Sequence, residues 1–312
     1  MNKILVTGGA GNVGGALVKK LVENSDNFVV TVDNLVTGFM HKLPQSNDGG
    51  NWKFILGDVN NFGNISAIMT RYGFDYVFHY AALVGVQRTL ENPHKVLNDI
   101  DGIKNILELS KNTGVKRVFY SSSSEVYGEP VEFPQNEDTT PLNSKLPYAI
   151  VKNVGEAFLK SYKKVYDLDF TVFRFFNTYG PDQSQDFVMS KFIHAALKNE
   201  PITLYGDGSQ SRTFCYVDDN IEATTKALYN NLFINDVVNV GSDDEVSIKE
   251  LAERIISLSG SSSKIVHLPA LEEGDMTRRK PDNSKMKEIL NRDLVSLDDG
   301  IKKMIKHIKS TL

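Results

Sequence analysis

The chain has 312 residues, of which 41% are hydrophobic and 24% are charged, and its formal net charge is −4 at pH 7. These values are typical of a globular protein with a sizeable core, and they give no reason to expect nucleic acid or an anionic membrane as a partner. The single cysteine excludes an intrachain disulfide, and the histidine spacing predicts no metal site. A strand pattern begins at residue 3 and leaves no room for a signal peptide, so we expect a cytoplasmic location.

Short apolar runs alternate with segments of helical periodicity in the first part of the chain. The runs that predict buried parallel strands are 3–7, 28–32, 53–57, 76–82 and 117–121. Predicted helices include 12–24 and 95–113. This βαβ alternation predicts an α/β fold, a Rossmann-type doubly wound parallel sheet. After about residue 176 the strand rhythm weakens and prolines interrupt the pattern, which predicts a smaller C-terminal lobe.

A glycine-rich turn follows the first predicted strand directly. Gly8, Gly11 and Gly14 fit the pattern G-x-x-G-x-x-G, in which the backbone can approach a pyrophosphate closely because no Cβ intervenes. A tight strand-to-helix turn would explain the glycines alone, but Asp33 at the end of the second strand adds a carboxylate for the adenosine ribose. The next basic residue is Lys42, so no nearer cation neutralises a 2′-phosphate. The pattern therefore predicts NAD rather than NADP.

Further cofactor contacts are predicted at the ends of the third and fourth strands. Asp58 and Val59 are placed to meet the adenine, although Asp58 is equally consistent with a helix N-cap. Ala81 and Ala82 are small enough to leave room for a nicotinamide ribose, whereas His79 is interpreted as a core histidine. The remaining predicted cofactor contacts are Asn12, Val13, Asn34, Tyr148 and Lys152.

Tyr148 and Lys152 stand one helical turn apart, on the same face of a predicted helix. The spacing alone carries little weight, because such a pair is expected by chance in this composition. Its position after the fifth strand of a dinucleotide-binding sheet is what indicates a site. A tyrosine with its ordinary pKa of ~10 is a poor base at neutral pH, and a nearby ammonium can lower that pKa by ~1–3. The pair thus predicts a general base.

Several motifs together resemble the extended short-chain dehydrogenase/reductase superfamily, specifically its NAD-dependent nucleotide-sugar epimerase/dehydratase branch. The resemblance covers essentially the whole chain and is closest to UDP-sugar 4-epimerases. Besides the glycine turn and Asp33, the motifs are "YSSSSEVYG" (120–128), "YAIVK" (148–152), "RFFNTYGP" (174–181), "YGDGSQSRTFCYVDD" (205–219) and "RRKPDNSKM" (278–286). The resemblance implies a bound NAD, a nucleoside-diphosphate sugar (UDP-linked) between two lobes, and a homodimer formed through the helices at 95–113 and 148–167.

The resemblance also implies roles for individual residues and boundaries for the lobes. The implied catalytic residues are Ser123, Tyr148, Lys152 and Glu125, with Ser123 bridging the sugar's 4-hydroxyl and the tyrosine. The implied substrate contacts are Val86, Thr89, Ser123, Asn177, Arg212 and Arg278, although Arg278 is also consistent with a solvated surface patch. The NAD-binding domain would comprise 1–176 with about 214–240, and the nucleotide-sugar-binding lobe about 177–213 and 241–312.

The net reaction is open on the sequence alone. The loop "AALVGVQRT" (81–89) resembles 4-epimerases of UDP-hexoses and their N-acetyl derivatives, and epimerisation is the prediction. The pair Ser124–Glu125 and the run "RRKPD" match UDP-glucuronate decarboxylases, which are the alternative. A 4,6-dehydratase is less favoured, because Ser124 replaces its proton-donating aspartate. Asp99 departs from the asparagine usual in the family, and an NAD-bound scaffold without catalysis is a further, minor alternative.

Overall fold

The computed structural model describes residues 1–45, 49–269 and 278–311, and its centre is a seven-stranded sheet. The strands are β1 Asn2–Thr7, β2 Asn27–Asp33, β3 Trp52–Leu56, β4 Tyr76–His79, β5 Arg117–Ser123, β6 Asp169–Phe175, β7 Thr178–Tyr179, β8 Ile202–Tyr205, β9 Ser211–Thr213, β10 Cys215–Tyr216, β11 Asp236–Val240, β12 Glu245–Ser247 and β13 Ile265–Leu268. The helices are α1 Asn12–Val22, α2 Phe62–Tyr72, α3 Val86–Glu91, α4 Pro93–Leu97, α5 Asp99–Thr113, α6 Pro147–Tyr166, α7 Val188–Leu197, α8 Val217–Tyr229, α9 Ile248–Ser259, α10 Ser284–Leu290 and α11 Leu297–Thr311.

The central sheet is parallel throughout and has the order β11-β6-β5-β4-β1-β2-β3. Its inner strands are apolar and buried because helices cover both faces, as a doubly wound sheet requires. The predicted Rossmann-type fold class is confirmed. The carboxyl ends of the parallel strands meet at one edge of the sheet, which is where such folds bind ligands.

The structure differs from the predicted elements in three places. The strand predicted at 76–82 ends at His79, so Ala81 and Ala82 lie in the connection that follows it. The helix predicted at 95–113 is two helices, α4 and α5, which meet at Asn98. The sheet also contains β6 and β11, which were not among the predicted strands, and β11 pairs with β6 at the sheet edge.

A buried ion pair attaches α6 to the sheet. The Arg174 guanidinium on β6 donates to both carboxylate oxygens of Glu156 on α6, at 3.0 and 2.8 Å. Ser122 on β5 donates to the same carboxylate at 2.5 Å. Because the Glu156 side chain is only 1% exposed, these donors supply the hydrogen bonds that a buried charge needs. The ion pair thereby anchors α6, whose first two turns carry Tyr148 and Lys152.

The second half of the chain adds small sheets and helices beside the carboxyl edge of the large sheet. β8 pairs with β13 in parallel, and β9 pairs with β12 antiparallel. Within the described ranges, no helix has both the length and the apolar character needed to cross a membrane. The same ranges contain no cluster of three or more His, Cys, Asp or Glu side chains suited to a metal ion.

Candidate active site

The turn between β1 and α1 forms a cradle that only glycine can line. A Cβ on Gly14 would lie 2.2 Å from the Gly8 carbonyl oxygen, and Gly8 itself has φ of +69°. Gly11 is the N-cap of α1 and provides no side chain to bind the free N–H groups of the first turn. These N–H groups and the helix dipole therefore favour an anion at this position. The close packing fits the pyrophosphate of a dinucleotide.

Asp33 ends β2 with its carboxylate held by the backbone. Its Oδ2 accepts a hydrogen bond from the Ala10 amide at 2.9 Å, and its Oδ1 accepts one from the Leu35 amide at 2.8 Å. The side chain is buried and lines the same cleft as the glycine cradle. A carboxylate oriented in this way can accept further hydrogen bonds from ribose hydroxyls, and it disfavours a 2′-phosphate.

A single cleft of about 580 Å³ runs along the carboxyl edge of the sheet. It brings together all of the predicted cofactor contacts, namely Gly8, Gly11, Asn12, Val13, Gly14, Asp33, Asn34, Asp58, Val59, Ala81, Ala82, Tyr148 and Lys152. The alternative interpretation of Asp58 as a helix cap does not match the structure, since Asn61 caps α2 by accepting from the Asn64 amide. Asp58 instead accepts from the Asn60 amide and faces the cleft.

Ser123, Tyr148 and Lys152 meet in this cleft. The Lys152 ammonium donates to the Ser121 carbonyl at 2.6 Å and lies 5.7 Å from the centre of the Tyr148 ring. Burial lowers the pKa of Lys152 to about 8, an effect that the charge of Asp99 opposes. Ser123 lies close enough to Tyr148 to lower the pKa of its hydroxyl, and Ser123 Oγ accepts from the Glu125 amide at 3.2 Å. The three side chains thus form a connected group at the end of β5 and the start of α6.

The pKa of Tyr148 differs from the expectation. Burial raises the pKa of Tyr148 well above its ordinary value, and the charge of Glu125 raises it further. The hydrogen bond with Ser123 acts in the opposite direction but is the smaller effect. Desolvation disfavours the tyrosinate more than the surrounding groups favour it. The protein alone therefore keeps Tyr148 protonated at neutral pH.

The serine run is part of the buried strand and not a flexible linker. Ser121, Ser122 and Ser123 are the last residues of β5, and Ser124 begins a short 3₁₀ turn that ends at Tyr127. All four serines are at least nine-tenths buried. Ser121 and Ser122 use their hydroxyls within the fold, donating to the His79 carbonyl and to Glu156. The Ser123 hydroxyl is the one that lowers the pKa of Tyr148.

The predicted substrate contacts are only partly brought together. Thr89 and Asn177 line the cleft, and the Asn177 side chain donates to the Thr213 carbonyl at 2.9 Å. Arg212 and Arg278 do not line it. Arg212 is buried on β9, whereas Arg278 pairs with Glu245 at 2.6 Å on the surface. Val86 begins α3, but its side chain lies outside the described part of the structure.

Comparison with known proteins identifies the family. Residues 4–241 match the model of the "NAD dependent epimerase/dehydratase family". The chain belongs to this family. It is 36% identical to a UDP-N-acetyl-alpha-D-glucosaminuronate decarboxylase of Bacillus cytotoxicus, over 97% of each chain. It is 34% identical to a putative UDP-glucose 4-epimerase of Methanocaldococcus jannaschii, over 98% of each chain.

Solved structures agree with this membership. The UDP-glucose 4-epimerase of Thermotoga maritima, solved with UDP-glucose, superimposes with a TM-score of 0.92 at 32% identity and covers 99% of each chain. The predicted family and the predicted cofactor, NAD, are confirmed by these comparisons. Relatives of both reaction types, 4-epimerases and decarboxylases, are similar to this NAD-dependent chain at comparable identity.

Several charged residues that line the cleft, among them Arg279, Arg88 and Lys42, were not predicted as site residues. Arg279, not its neighbour Arg278, lines the cleft and forms an ion pair with Glu125 at 2.8 Å. Arg88 on α3 pairs with Asp186 from the segment before α7. Lys42, considered only as a distant cation, also lines the cleft. The motif at 278–286 contains both Arg278 and Arg279. Which of these adjacent arginines points into the cleft depends on the direction of the backbone, and the sequence does not indicate it.

Asp99 occupies the position where the family usually has asparagine. Its Oδ2 accepts from the Leu83 amide at 2.7 Å, and its Oδ1 accepts from the Asn60 side chain at 3.3 Å. Burial raises the pKa of Asp99, although these hydrogen bonds partly offset the rise. The carboxylate therefore fixes the connection after β4 as an asparagine could, and it adds charge near Lys152.

Proposed function

We propose that the protein is an NAD-dependent 4-epimerase of a UDP-hexose or UDP-N-acetylhexosamine that acts through a 4-keto sugar. Tyr148 would act as the general base, Lys152 would stabilise the tyrosinate, and Ser123 would relay the proton from the C4 hydroxyl. Support comes from the placement of these three groups together beside the dinucleotide cradle. The cradle glycines, Asp33, Asp58 and Ala81 would hold the cofactor. When bound, NAD supplies the acceptor for hydride from C4 and the donor that reduces the 4-keto sugar again.

The acid–base chemistry follows from the environment of Tyr148. The phenol is protonated in the protein alone, so it becomes a base only when positive charge beside it favours the tyrosinate. Lys152, fixed by the Ser121 carbonyl, provides one such charge, and the positively charged nicotinamide ring of a bound NAD would provide the second charge that the protein alone lacks. Ser123 lies beside Tyr148, so a C4 hydroxyl bound next to Ser123 can pass its proton to the tyrosinate through the serine hydroxyl.

The two arginines in the cleft are already paired with carboxylates, and this observation favours an uncharged sugar as the substrate. Arg279 already holds the carboxylate of Glu125, and Arg88 already holds that of Asp186. A uronate carboxylate that binds either arginine would have to displace its partner, and beside Arg279 it would meet the negative charge of Glu125. A neutral hexose meets no such repulsion, since its hydroxyls can donate to a carboxylate. Epimerisation of a neutral UDP-sugar is therefore the proposed reaction.

Decarboxylation of a UDP-glucuronate is a second candidate because of the same Glu125–Arg279 pair. If a uronate took Arg279 from Glu125, the guanidinium would bind the C5 carboxylate in the geometry that arginine favours. Glu125 would then be free to assist proton transfer at C5 after loss of carbon dioxide. Its Oε2 is buried and accepts no hydrogen bond within the described residues. Dehydration is less favoured, since the adjacent Ser124 is buried and has no acidic group.

The two reactions are separated by incubating the purified protein with UDP-glucose, UDP-N-acetylglucosamine and UDP-glucuronate in turn, each with NAD. Proton NMR and mass spectrometry follow the products. A product of unchanged mass with inverted couplings at C4 is the expected result. Loss of carbon dioxide from UDP-glucuronate alone would reject epimerisation in favour of the second candidate. Tyr148→Phe is the control, since it should abolish either reaction.

A further inference from the structure

Lys42 is a buried cation in the wall of the cleft. It ends the 3₁₀ turn Met40–Lys42, which follows the loop after Asp33, and only 5% of its surface is exposed. Its ammonium lies 5.1 Å from the centre of the Phe39 ring. Within the described ranges no carboxylate is close enough to Lys42 to form a salt bridge. Burial lowers the pKa of Lys42, so its charge is destabilised where it stands.

The position of Lys42 relates it to the glycine cradle. A Cβ on Gly15 would lie 2.7 Å from the Lys42 carbonyl oxygen and 3.3 Å from its Cβ, so residue 42 packs directly on the first turn of α1. Both Lys42 and the cradle residues Gly11 and Gly14 line the same cleft. An uncapped helix N-terminus and a buried lysine thus line one cleft, in contact through the backbone and Cβ of residue 42.

The carboxylates near Lys42 already bind other groups. Asp182 and Asp33 are the acids whose charges raise the pKa of Lys42, while Lys19 lowers it. Asp182 is paired with Lys19 at 3.0 Å, and Asp33 accepts from two backbone amides. A desolvated ammonium with no close anion is costly to a fold unless a ligand supplies that anion. The ligand of this cleft is NAD, whose pyrophosphate carries two negative charges.

We propose that Lys42 is a cofactor-binding residue whose ammonium pairs with the pyrophosphate of the bound dinucleotide. It adds a side-chain cation to a cradle that otherwise binds phosphate through backbone N–H groups. A 2′-phosphate is the less favoured partner, because Asp33 would share the site with it. The inference depends on NAD binding and not on which sugar reaction the protein performs.

The test measures binding of nucleotide fragments to the full chain freed of NAD. Titration calorimetry compares the wild type with Lys42→Met, which keeps the length of the side chain, and Lys42→Arg, which keeps the charge. Lys42→Met should lower the affinity for ADP-ribose about 10-fold, as expected for one lost charge-assisted hydrogen bond. Its affinity for adenosine should be unchanged. Lys42→Arg should recover most of the affinity for ADP-ribose. The loss should shrink at high salt, because ions screen the pair.

Lys20→Met is the matched control, since Lys20 is an exposed lysine of α1 paired with Glu23. It should bind both ligands as the wild type does. If Lys42→Met lowers the affinities for adenosine and ADP-ribose equally, the proposal is overturned. The Lys42 side chain would then contribute to the adenosine site by packing alone. Unchanged binding of ADP-ribose with weaker binding of NADP, titrated in the same way, would overturn it as well, since the contact would then be to the 2′-phosphate. Circular dichroism of each variant excludes misfolding as the cause.

Discussion

Glu125 and Arg279 form an ion pair of 2.8 Å in the wall of the active-site cleft, between the turn after β5 and the segment before α10. The two side chains are 16% and 6% exposed, so water screens the pair little. Its formation brings the C-terminal part of the chain against the residues that surround Tyr148. The pair therefore belongs both to the stability of the fold and to the electrostatics of the site.

Removing Arg279 should be costly because it leaves a mostly buried carboxylate without its partner. We expect Arg279→Ala to lower the free energy of unfolding by about 3 kcal/mol. Arg278→Ala is the matched control: its ion pair with Glu245 is exposed, and a change within about 0.5 kcal/mol is expected. Urea unfolding followed by circular dichroism measures both. Equal effects of the two substitutions would contradict the assignment of Arg279 as the buried partner.

Two tyrosines near Lys152 allow a direct test of the proposed base. Tyr148→Phe should reduce turnover of the nucleotide sugar at least ~100-fold, the lower end of the range for general acid–base catalysis, and leave NAD bound. Tyr120→Phe is the control, because the Tyr120 hydroxyl is buried without a hydrogen-bond partner among the described residues. Its removal should leave turnover within about 2-fold and should not lower stability. Similar activity of the two variants would reject Tyr148 as the base.

Local patterns were sufficient to predict the fold class and five of the seven strands of the sheet, and the predicted cofactor residues line one cleft. The glycine turn and Asp33 lie within one βαβ unit, so their spacing along the chain reflects their spacing in the fold. Tyr148 and Lys152 are likewise one helical turn apart. The part of the cleft predicted to bind the sugar nucleotide is formed by segments that are distant in sequence. Its residues were predicted less well, since Arg212 and Arg278 do not line the cleft. Arg279 reaches Glu125, and Arg88 reaches Asp186, only after the chain has folded.

Protonation could not be predicted from the residue types either. A lysine next to a tyrosine predicts a lowered tyrosine pKa, but the depth of burial reverses the direction for Tyr148. The same effect acts on His79, whose pKa burial lowers to about 3, and which bonds Thr7 at 2.8 Å inside the sheet. Burial depends on how helices cover the whole sheet, and no motif specifies it.

The ion pair between Glu156 and Arg174 should be a major contributor to stability. Arg174→Met removes a donor from a fully buried carboxylate, and we expect it to destabilise the protein by about 4 kcal/mol. Lys163→Met provides the comparison, because it removes a lysine of the same helix whose pairs with Asp167 and Asp169 are far more exposed, and it should cost less than about 1 kcal/mol. The double variant Arg174→Met with Glu156→Met should regain part of the loss, since no unpaired charge remains. A double variant less stable than the sum of its parts would contradict this account.

The lowered pKa of Lys152 predicts a characteristic dependence on pH. In the unfolded chain Lys152 has its ordinary pKa of 10.5, whereas in the folded protein burial lowers it to about 8. Between these values the native state has lost the proton that the unfolded state still binds, so stability rises with pH. This gain in the free energy of unfolding amounts to about 3 kcal/mol between pH 8 and pH 10.5. Below pH 8 both states are protonated, and the gain is absent.

Activity should change in the opposite direction over the same window. If the ammonium of Lys152 stabilises the tyrosinate, turnover of the NAD-loaded enzyme falls as Lys152 loses its proton.

Urea unfolding of nucleotide-free wild type and Lys152→Met at pH 7.5 and pH 10.5 isolates the stability effect, which is expected only in the wild type. Lys160→Met, an exposed lysine on α6, controls for loss of a lysine and should change stability by less than about 0.5 kcal/mol. A difference between wild type and Lys152→Met that is the same at both pH values would show that Lys152 keeps its ordinary pKa, and the buried ammonium would then need a compensating anion inside the fold.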